Sequence, residues 1–228
     1  WHVGGDESRM LGRCPRCEEK VGRLGVARLY GDHVGEIARR VAAKGLKPLL
    51  WSDMLEAHPE AVDQLPKDVK IVYWNYHLAT WPRPYAAATF MKKGFEVLCA
   101  NAVRSLALGT ELSVYYPLAL EGIESLTRRA LSDGCREIIT TNWMKGSPHE
   151  STQYGLVYAA ALDWNQSTSL TEFQDRYARL TFGLADPRIC ALYERLSLRL
   201  PYAEPVQNHM VNRLDRFNLS GLRFPEKW

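Results

Sequence analysis

Short, nearly continuous apolar runs alternate with longer stretches in which apolar residues recur every three or four positions. The runs predict strands over Trp1 to Gly5, Lys47 to Trp51, Lys70 to Trp74, Phe95 to Ala100 and Glu137 to Trp143. Continuous runs are what strands of a parallel sheet show when both faces are covered. Between the first two runs the spacing predicts a helix. Asp32 caps it, Val34, Ile37, Ala38 and Val41 form its apolar stripe, and Gly45 ends it. A second helix is predicted over Pro84 to Lys93, closed by Gly94, and the segment after Leu55 holds at most a small helix. A third runs from Leu118 to Leu131, with Leu120, Ile123, Thr127 and Ala130 on one side and Gly134 at its end. After Trp143 the pattern turns helical, over Gln153 to Trp164, Leu170 to Phe182 and Pro187 to Leu200, the last with Pro at its first position. The pattern fades from Pro201 onward. Residues 1–184 read as the body of one domain and 185–228 as a helical extension.

Strand–helix alternation implies a parallel sheet with right-handed crossovers, as an open doubly wound sheet or a (β/α)8 TIM barrel. The polar and aromatic residues favour the barrel. The strands end in Asp6-Glu7, in Trp51 with Asp53, in Trp74-Asn75-Tyr76, in Asn101 and in Asn142-Trp143. In a barrel the carboxyl ends of all strands converge on one mouth, whereas an open sheet spreads them along an edge. Five strands are countable, about three short of a closed barrel.

Composition narrows the function. The chain has 228 residues, 46% hydrophobic and 24% charged, enough for a substantial core. A net charge of +3 is too small to argue for nucleic acid or an anionic membrane. No apolar run approaches the roughly 18 to 20 residues that span a bilayer. Seven Trp and 11 Tyr supply flat faces suited to sugar stacking, although core packing also uses them. Five cysteines form no regular framework, which points away from a disulfide-stapled secreted domain and towards a reducing, cytoplasmic setting. No cofactor is expected, and nothing specifies an oligomer.

The chemistry concentrates at Val3-Gly4-Gly5-Asp6-Glu7. Two glycines let the backbone turn tightly and approach a ligand. A carboxylic acid held near apolar or like-charged neighbours keeps its proton to higher pH and serves as a general acid. A second carboxylate beside it steadies positive charge, a division of labour that suits glycosidic bond cleavage. Gly4-Gly5-Asp6-Glu7 also suits an ordinary surface turn. Diguanylate cyclases share a Gly-Gly-Asp-Glu loop but carry Phe next, where this chain has Ser8. Cys14-Pro15-Arg16-Cys17, in the loop after the first strand, has the spacing of half a zinc knuckle or a redox pair, but no second close pair exists and loop structure or a local disulfide fits it better. His77 at a strand end and His149-Glu150 after a turn are weaker candidates, better suited to surface or packing roles.

His2-Val3-Gly4-Gly5-Asp6-Glu7 resembles the His-x-Gly-Gly-Asp-Glu signature of glycoside hydrolase family 20, the β-N-acetylhexosaminidases. Lys47 to Leu55 resembles its fifth barrel strand, Val72 to Tyr76 the sixth, Phe95 to Leu98 the seventh and Ile138 to Trp143 the eighth. Ala161 to Asn165, Phe173 and Phe182-Gly183 are similar to its closing helical region, so the resemblance extends to about residue 184. The nearer branch is the hexosaminidase D type, with a Trp-Asp-Asp-Met-like fifth strand. On that alignment the chain starts at the fourth strand, with three strands upstream of it.

The resemblance implies removal of terminal β-linked N-acetylglucosamine or N-acetylgalactosamine by a retaining, substrate-assisted mechanism. The substrate's own 2-acetamido oxygen is the nucleophile and an oxazolinium intermediate forms, an exception to the two-carboxylate scheme. On this reading Glu7 is the general acid and base, and Asp6 orients the acetamido N–H. Tyr76 bonds the acetamido carbonyl, Trp51, Trp74 and Trp143 wall the pocket, and Asp53 binds a sugar hydroxyl or steadies the site. Asn101 contributes from its strand end, and His2 supports the catalytic strand from below. The partner is an oligosaccharide or smaller substrate ending in N-acetylhexosamine. Two departures stand out. The better-known members carry Trp-x-Glu after the eighth strand, where this chain has Trp143-Met144-Lys145, and the Asp-x-Tyr-Tyr of many members has no match here. Both bear on how the 4- and 6-hydroxyls are read. They also leave room for a catalytically inactive carbohydrate-binding relative or fragment.

Overall fold

A computed structural model describes residues 1–76, 86–104, 114–143, 149–184, 186 and 188–199. Its sheet has four parallel strands, β1 (Leu49–Trp51), β2 (Lys70–Trp74), β3 (Glu96–Arg104) and β4 (Ile138–Asn142), paired in sequence order. The apolar pattern predicts a full strand over Trp1 to Gly5, ahead of β1. Only His2 forms a ladder bridge, to Leu49. The backbone still runs along β1: Leu49 N–H donates to the Trp1 carbonyl, Val3 N–H to Leu49 and Trp51 N–H to Gly4, at 2.8, 2.8 and 3.1 Å. Gly4 and Gly5, at φ +74° and +87°, leave the extended region and stop the strand there.

Side chains alternate faces along each strand, and the two faces differ. Leu50, Ile71, Tyr73, Val97 and Cys99 enter a core with residues of two helices, α2 (Val26–Ala42) and α4 (Ala87–Lys92). That core also takes Leu126 and Ala130 of α5 (Tyr116–Ser132). The opposite face carries Val72, Leu98 and Ala100 with Leu49, Trp51, Trp74 and Ile139, and no described helix residue joins them. A doubly wound sheet reverses strand order and covers both faces with helices. Unreversed order with helices on one face fits one arc of an α/β barrel; closure of a barrel is not seen among the described residues.

Two helix expectations are corrected. α1 (Pro15–Leu24) occupies a segment read from the sequence as loop, and it buries none of its residues. α2 begins at Val26, not at Asp32. Asp32 lies within it and accepts from Arg28 one turn earlier, at 2.7 Å. The stripe itself is as expected, with Val34 and Ala38 buried. α5, α6 (Glu150–Trp164), α7 (Leu170–Phe182) and α8 (Arg188–Arg199) follow the helical pattern within a few residues. Residues 77–85, which include the start expected for the second helix, and everything beyond 199 lie outside the described residues. α3 (Asp53–Ala57) and a 3-10 turn over Pro59–Gln64 fill the short stretch after β1.

A second core joins α5 to α8. Tyr154 stacks on Tyr193 and meets Tyr116, Phe173 and Tyr177, with ring centroids 5.0 to 5.3 Å apart. Most tyrosines of the described helices therefore pack the core, and burial pushes the Tyr116, Tyr154 and Tyr158 hydroxyls well above their usual pKa. At the amino ends of the strands lies a charge ladder. Lys47 pairs with Glu96, and Lys70 binds Glu96 at 3.3 Å and Glu137 at 2.6 Å. Glu137, foremost, raises the Lys70 pKa. Among the described residues no helix is long and apolar enough to cross a membrane.

At the other end of the sheet, Gly122 of α5 lies directly under the backbone carbonyl of Tyr76, and a Cβ built there would overlap it. Gly122→Ala is expected to lower stability by about 1–3 kcal/mol, the usual cost of overpacking a filled site. Urea unfolding of the variant beside the parent protein measures it, and an unchanged midpoint would show that the strand end yields freely.

Candidate functional site

The leading segment, β1, β2 and β4 deliver their aromatic and acidic residues to one region at the carboxyl ends of the strands. These groups touch in a closed circuit. The Asp53 carboxylate accepts the backbone N–H of Glu7 at 2.8 Å and the indole N–H of Trp74 at 3.2 Å. The Trp74 ring lies 5.1 Å from that of Tyr76. The Tyr76 hydroxyl accepts the Trp143 indole N–H at 2.8 Å. Trp143 lies 6.2 Å from Trp51, and Trp51 lies 4.5 Å from His2. His2 Nδ1 accepts the Gly4 N–H at 3.0 Å, which returns the circuit to the Gly-Gly turn. Of the nine residues to which the family resemblance gives a role, eight belong to this region or to the acidic turn that borders it.

The backbone at the acidic turn is under unusual constraint. Glu7 has φ +47°, a left-handed conformation that costs a non-glycine residue on the order of 1–3 kcal/mol unless neighbours hold it. Asp53 holds it from one side. From the other, the buried Tyr30 hydroxyl donates to the Gly5 carbonyl at 2.6 Å. Burial pushes the Tyr30 pKa well up, with Asp53 and Asp6 adding to it, so the hydroxyl remains a donor at neutral pH. Gly5 also leaves no room for a side chain. A Cβ there would stand 2.5 Å from Leu50 Cδ1 and 2.9 Å from the Tyr30 hydroxyl.

The carboxylates themselves face water. Asp6 and Glu7 are exposed, and Glu7 Oε1 sits 3.3 Å from Arg9 Nη2 in an open ion pair. The expected apolar enclosure of the acid is therefore not formed by the described residues. An ion pair this exposed contributes about 0–1 kcal/mol, so it restrains the Glu7 side chain only lightly. His2 keeps much of its surface open, yet its ring rests on Trp51. Desolvation there lowers its pKa, against the opposing pull of Asp6. A neutral ring suits Nδ1 as the acceptor it is.

Asn101 is placed elsewhere. β3 runs on to Arg104, so Asn101 is interior to the strand rather than at its end. It is 0% exposed, and its side-chain amide donates to Thr127 of α5 at 3.2 Å, on the helix-covered face. The residue that does end β3 is Arg104, 5% exposed, whose carbonyl accepts the Trp143 N–H at 3.0 Å. Sequence reasoning missed it because Ala-Val-Arg carries no motif. The available signal was the strand's length, since the apolar run continues through Val103. β4 ends as expected, with Asn142 donating to Thr152 of α6 at 3.2 Å. His149 immediately precedes α6 and Glu150 begins it, both exposed. His77 and Lys145 lie outside the described residues.

Neither a protein-family model nor a curated protein sequence matches this chain. Among solved structures, the chain is similar to the crystal structure of a β-N-acetylhexosaminidase from Bacteroides fragilis NCTC 9343, with a TM-score of 0.53 and 18% sequence identity. The match covers 81% of this chain and 40% of that protein, so the chain corresponds to less than half of its length. At that identity the likeness is one of fold: this sheet and its helices follow the path of part of a hexosaminidase structure.

Proposed function

We propose that this chain carries the acidic half of a glycosidase site, in a (β/α)8 barrel of the glycoside hydrolase family 20 type, and that it removes terminal β-linked N-acetylhexosamine. The observation that carries the reading is the strained Glu7 backbone, fixed by Asp53 and Tyr30 at the rim of an aromatic circuit. Strain of this kind persists where the surroundings over-determine it, and it clusters at functional sites. The likeness in fold to a hexosaminidase supports the same reading.

In this mechanism the sugar seats its apolar face against Trp51, Trp74 and Trp143. Glu7 protonates the leaving glycosidic oxygen. Asp6 accepts the acetamido N–H and turns the amide so that its carbonyl oxygen attacks the anomeric carbon, with Tyr76 donating to that carbonyl. Glu7 then takes a proton from the water that opens the oxazolinium ring, and retention follows from the two displacements. Asp53 acts as a positioning residue through the Glu7 N–H and the Trp74 indole.

A carbohydrate-binding role without turnover is the second reading, favoured by the exposure of Glu7 and its pairing with Arg9. Two measurements separate the readings. Hydrolysis of an aryl N-acetyl-β-glucosaminide by the purified protein is expected to fall about 10²–10⁴-fold in Glu7→Gln. A thiazoline mimic of the intermediate is expected to inhibit the parent protein far more tightly than N-acetylglucosamine does. Unchanged hydrolysis in Glu7→Gln would remove Glu7 from the acid role, and sugar binding with no hydrolysis in the parent would favour the binding module. Asp53→Asn tests the positioning role. It is expected to lower kcat about ten-fold or more with little change in KM, because it weakens the charge-assisted bond to the Glu7 N–H. A change confined to KM would instead make Asp53 a sugar ligand.

A further inference from the structure

Two of the five cysteines lie at the surface, and they stand three residues apart. Cys14 is exposed and Cys17 half-buried, whereas Cys99, Cys135 and Cys190 are buried. α1 brings the surface pair into a single turn. Pro15 opens the helix, so Cys14 takes the position just before it, with extended backbone at φ −87° and ψ 153°. The Cys17 N–H donates to the Cys14 carbonyl at 2.8 Å. A bond from residue i+3 back to i closes a turn whose end Cα atoms lie within about 7 Å, the outer reach of a disulfide. Cys17 is the third residue of the helix that Cys14 precedes, so both thiols belong to one turn.

The two thiols are not equivalent. The Cys17 thiol lowers the Cys14 pKa, with further help from the backbone N–H groups of Cys17 and Arg16, and Cys14 in turn raises that of Cys17. Cys14 is thus the thiol poised to ionise, and it is also the more exposed. Structural zinc takes four ligands, and among the described residues no third His, Cys, Asp or Glu groups with this pair.

We propose that Cys14 and Cys17 form a reversible dithiol–disulfide site that exchanges with small disulfides of the glutathione class. The Cys14 thiolate attacks one sulfur of the small disulfide. That S–S bond breaks and one thiolate leaves, taking up a proton from water. Cys17 gives its proton to solvent and its sulfur attacks Cys14 Sγ, and the mixed disulfide breaks to release the second thiol. One protein dithiol and one small disulfide become one protein disulfide and two small thiols, a two-electron oxidation of the protein matched by reduction of the disulfide.

The test equilibrates the purified protein in glutathione buffers from fully reduced to fully oxidised, followed by rapid alkylation and peptide mass mapping. The expected product is a Cys14–Cys17 crosslink that forms and reverses with the buffer and is lost in both Cys14→Ser and Cys17→Ser. In the reduced protein, iodoacetamide at neutral pH is expected to label Cys14 about ten-fold faster than Cys17. Circular dichroism checks that both variants fold as the parent does. The proposal is overturned if the pair stays reduced in oxidised glutathione or if Cys14 stops at a stable glutathione adduct. Protection of both thiols by added zinc, with no disulfide formed, overturns it in favour of a metal site.

Discussion

The Asp53 carboxylate is the joint on which the rest of the site depends. Its two oxygens take N–H groups from two different elements, the backbone of Glu7 and the indole of Trp74. A carboxylate accepting two such bonds ties the acidic turn to β2 across the end of β1. Without it the left-handed Glu7 would lose its cross-element partner and relax towards ordinary loop conformations. The carboxylate sits on the first residue of α3, where a negative charge is also favoured by the helix's amino end. One side chain thus serves the helix start, the backbone of the turn and the aromatic wall together.

The aromatic residues divide by chemistry. Tyrosines fill the core between α5 and α8, where burial holds their hydroxyls neutral and their rings meet edge to face or stacked. Trp51, Trp74 and Trp143 lie at the strand ends, and the indole N–H groups of Trp74 and Trp143 are spent on Asp53 and Tyr76. An indole fixed by its single N–H presents its face at a set angle, which is what a stacking wall needs. Trp51 and Trp74 also join Val72, Leu98 and Ala100 on the sheet face that no described helix covers, so the wall is rooted in the sheet rather than laid on it.

The parts legible in the sequence were those where burial writes a pattern. β1, β2 and β4 follow from their apolar runs, and α5 from Leu120, Ile123, Thr127 and Ala130, all buried. α1 was hard to read because its stripe is short, Cys17, Val21 and Leu24, and none of these residues is buried. Asp32 read as a cap because acidic residues do cap helices, but here it has a partner one turn back in Arg28. Asn101 read as a strand end because a polar residue interrupts an apolar run. In the fold that polarity is matched by Thr127 across the helix layer, and the strand continues to Arg104. The motif at Asp6 and Glu7 was plain in the sequence. The groups that hold it, Tyr30 and Asp53, come from 25 and 46 residues further on, and only the fold brings them there.

The charge ladder at the amino ends has a bearing on the opposite end of the sheet. Lys47 and Lys70 stand at the starts of β1 and β2, Glu96 and Glu137 at the starts of β3 and β4, and the ion pairs Lys47–Glu96, Lys70–Glu96 and Lys70–Glu137 tie the four strands at one level. Strand side chains repeat every two residues, so a slip by one would break these pairs and turn Trp74 to the wrong face. From Lys70 to Trp74 is about 13 Å along the strand. The ladder therefore works as the zero mark of a ruler. It fixes where each strand begins, and each aromatic ring meets its neighbour because the strands are measured from the same line.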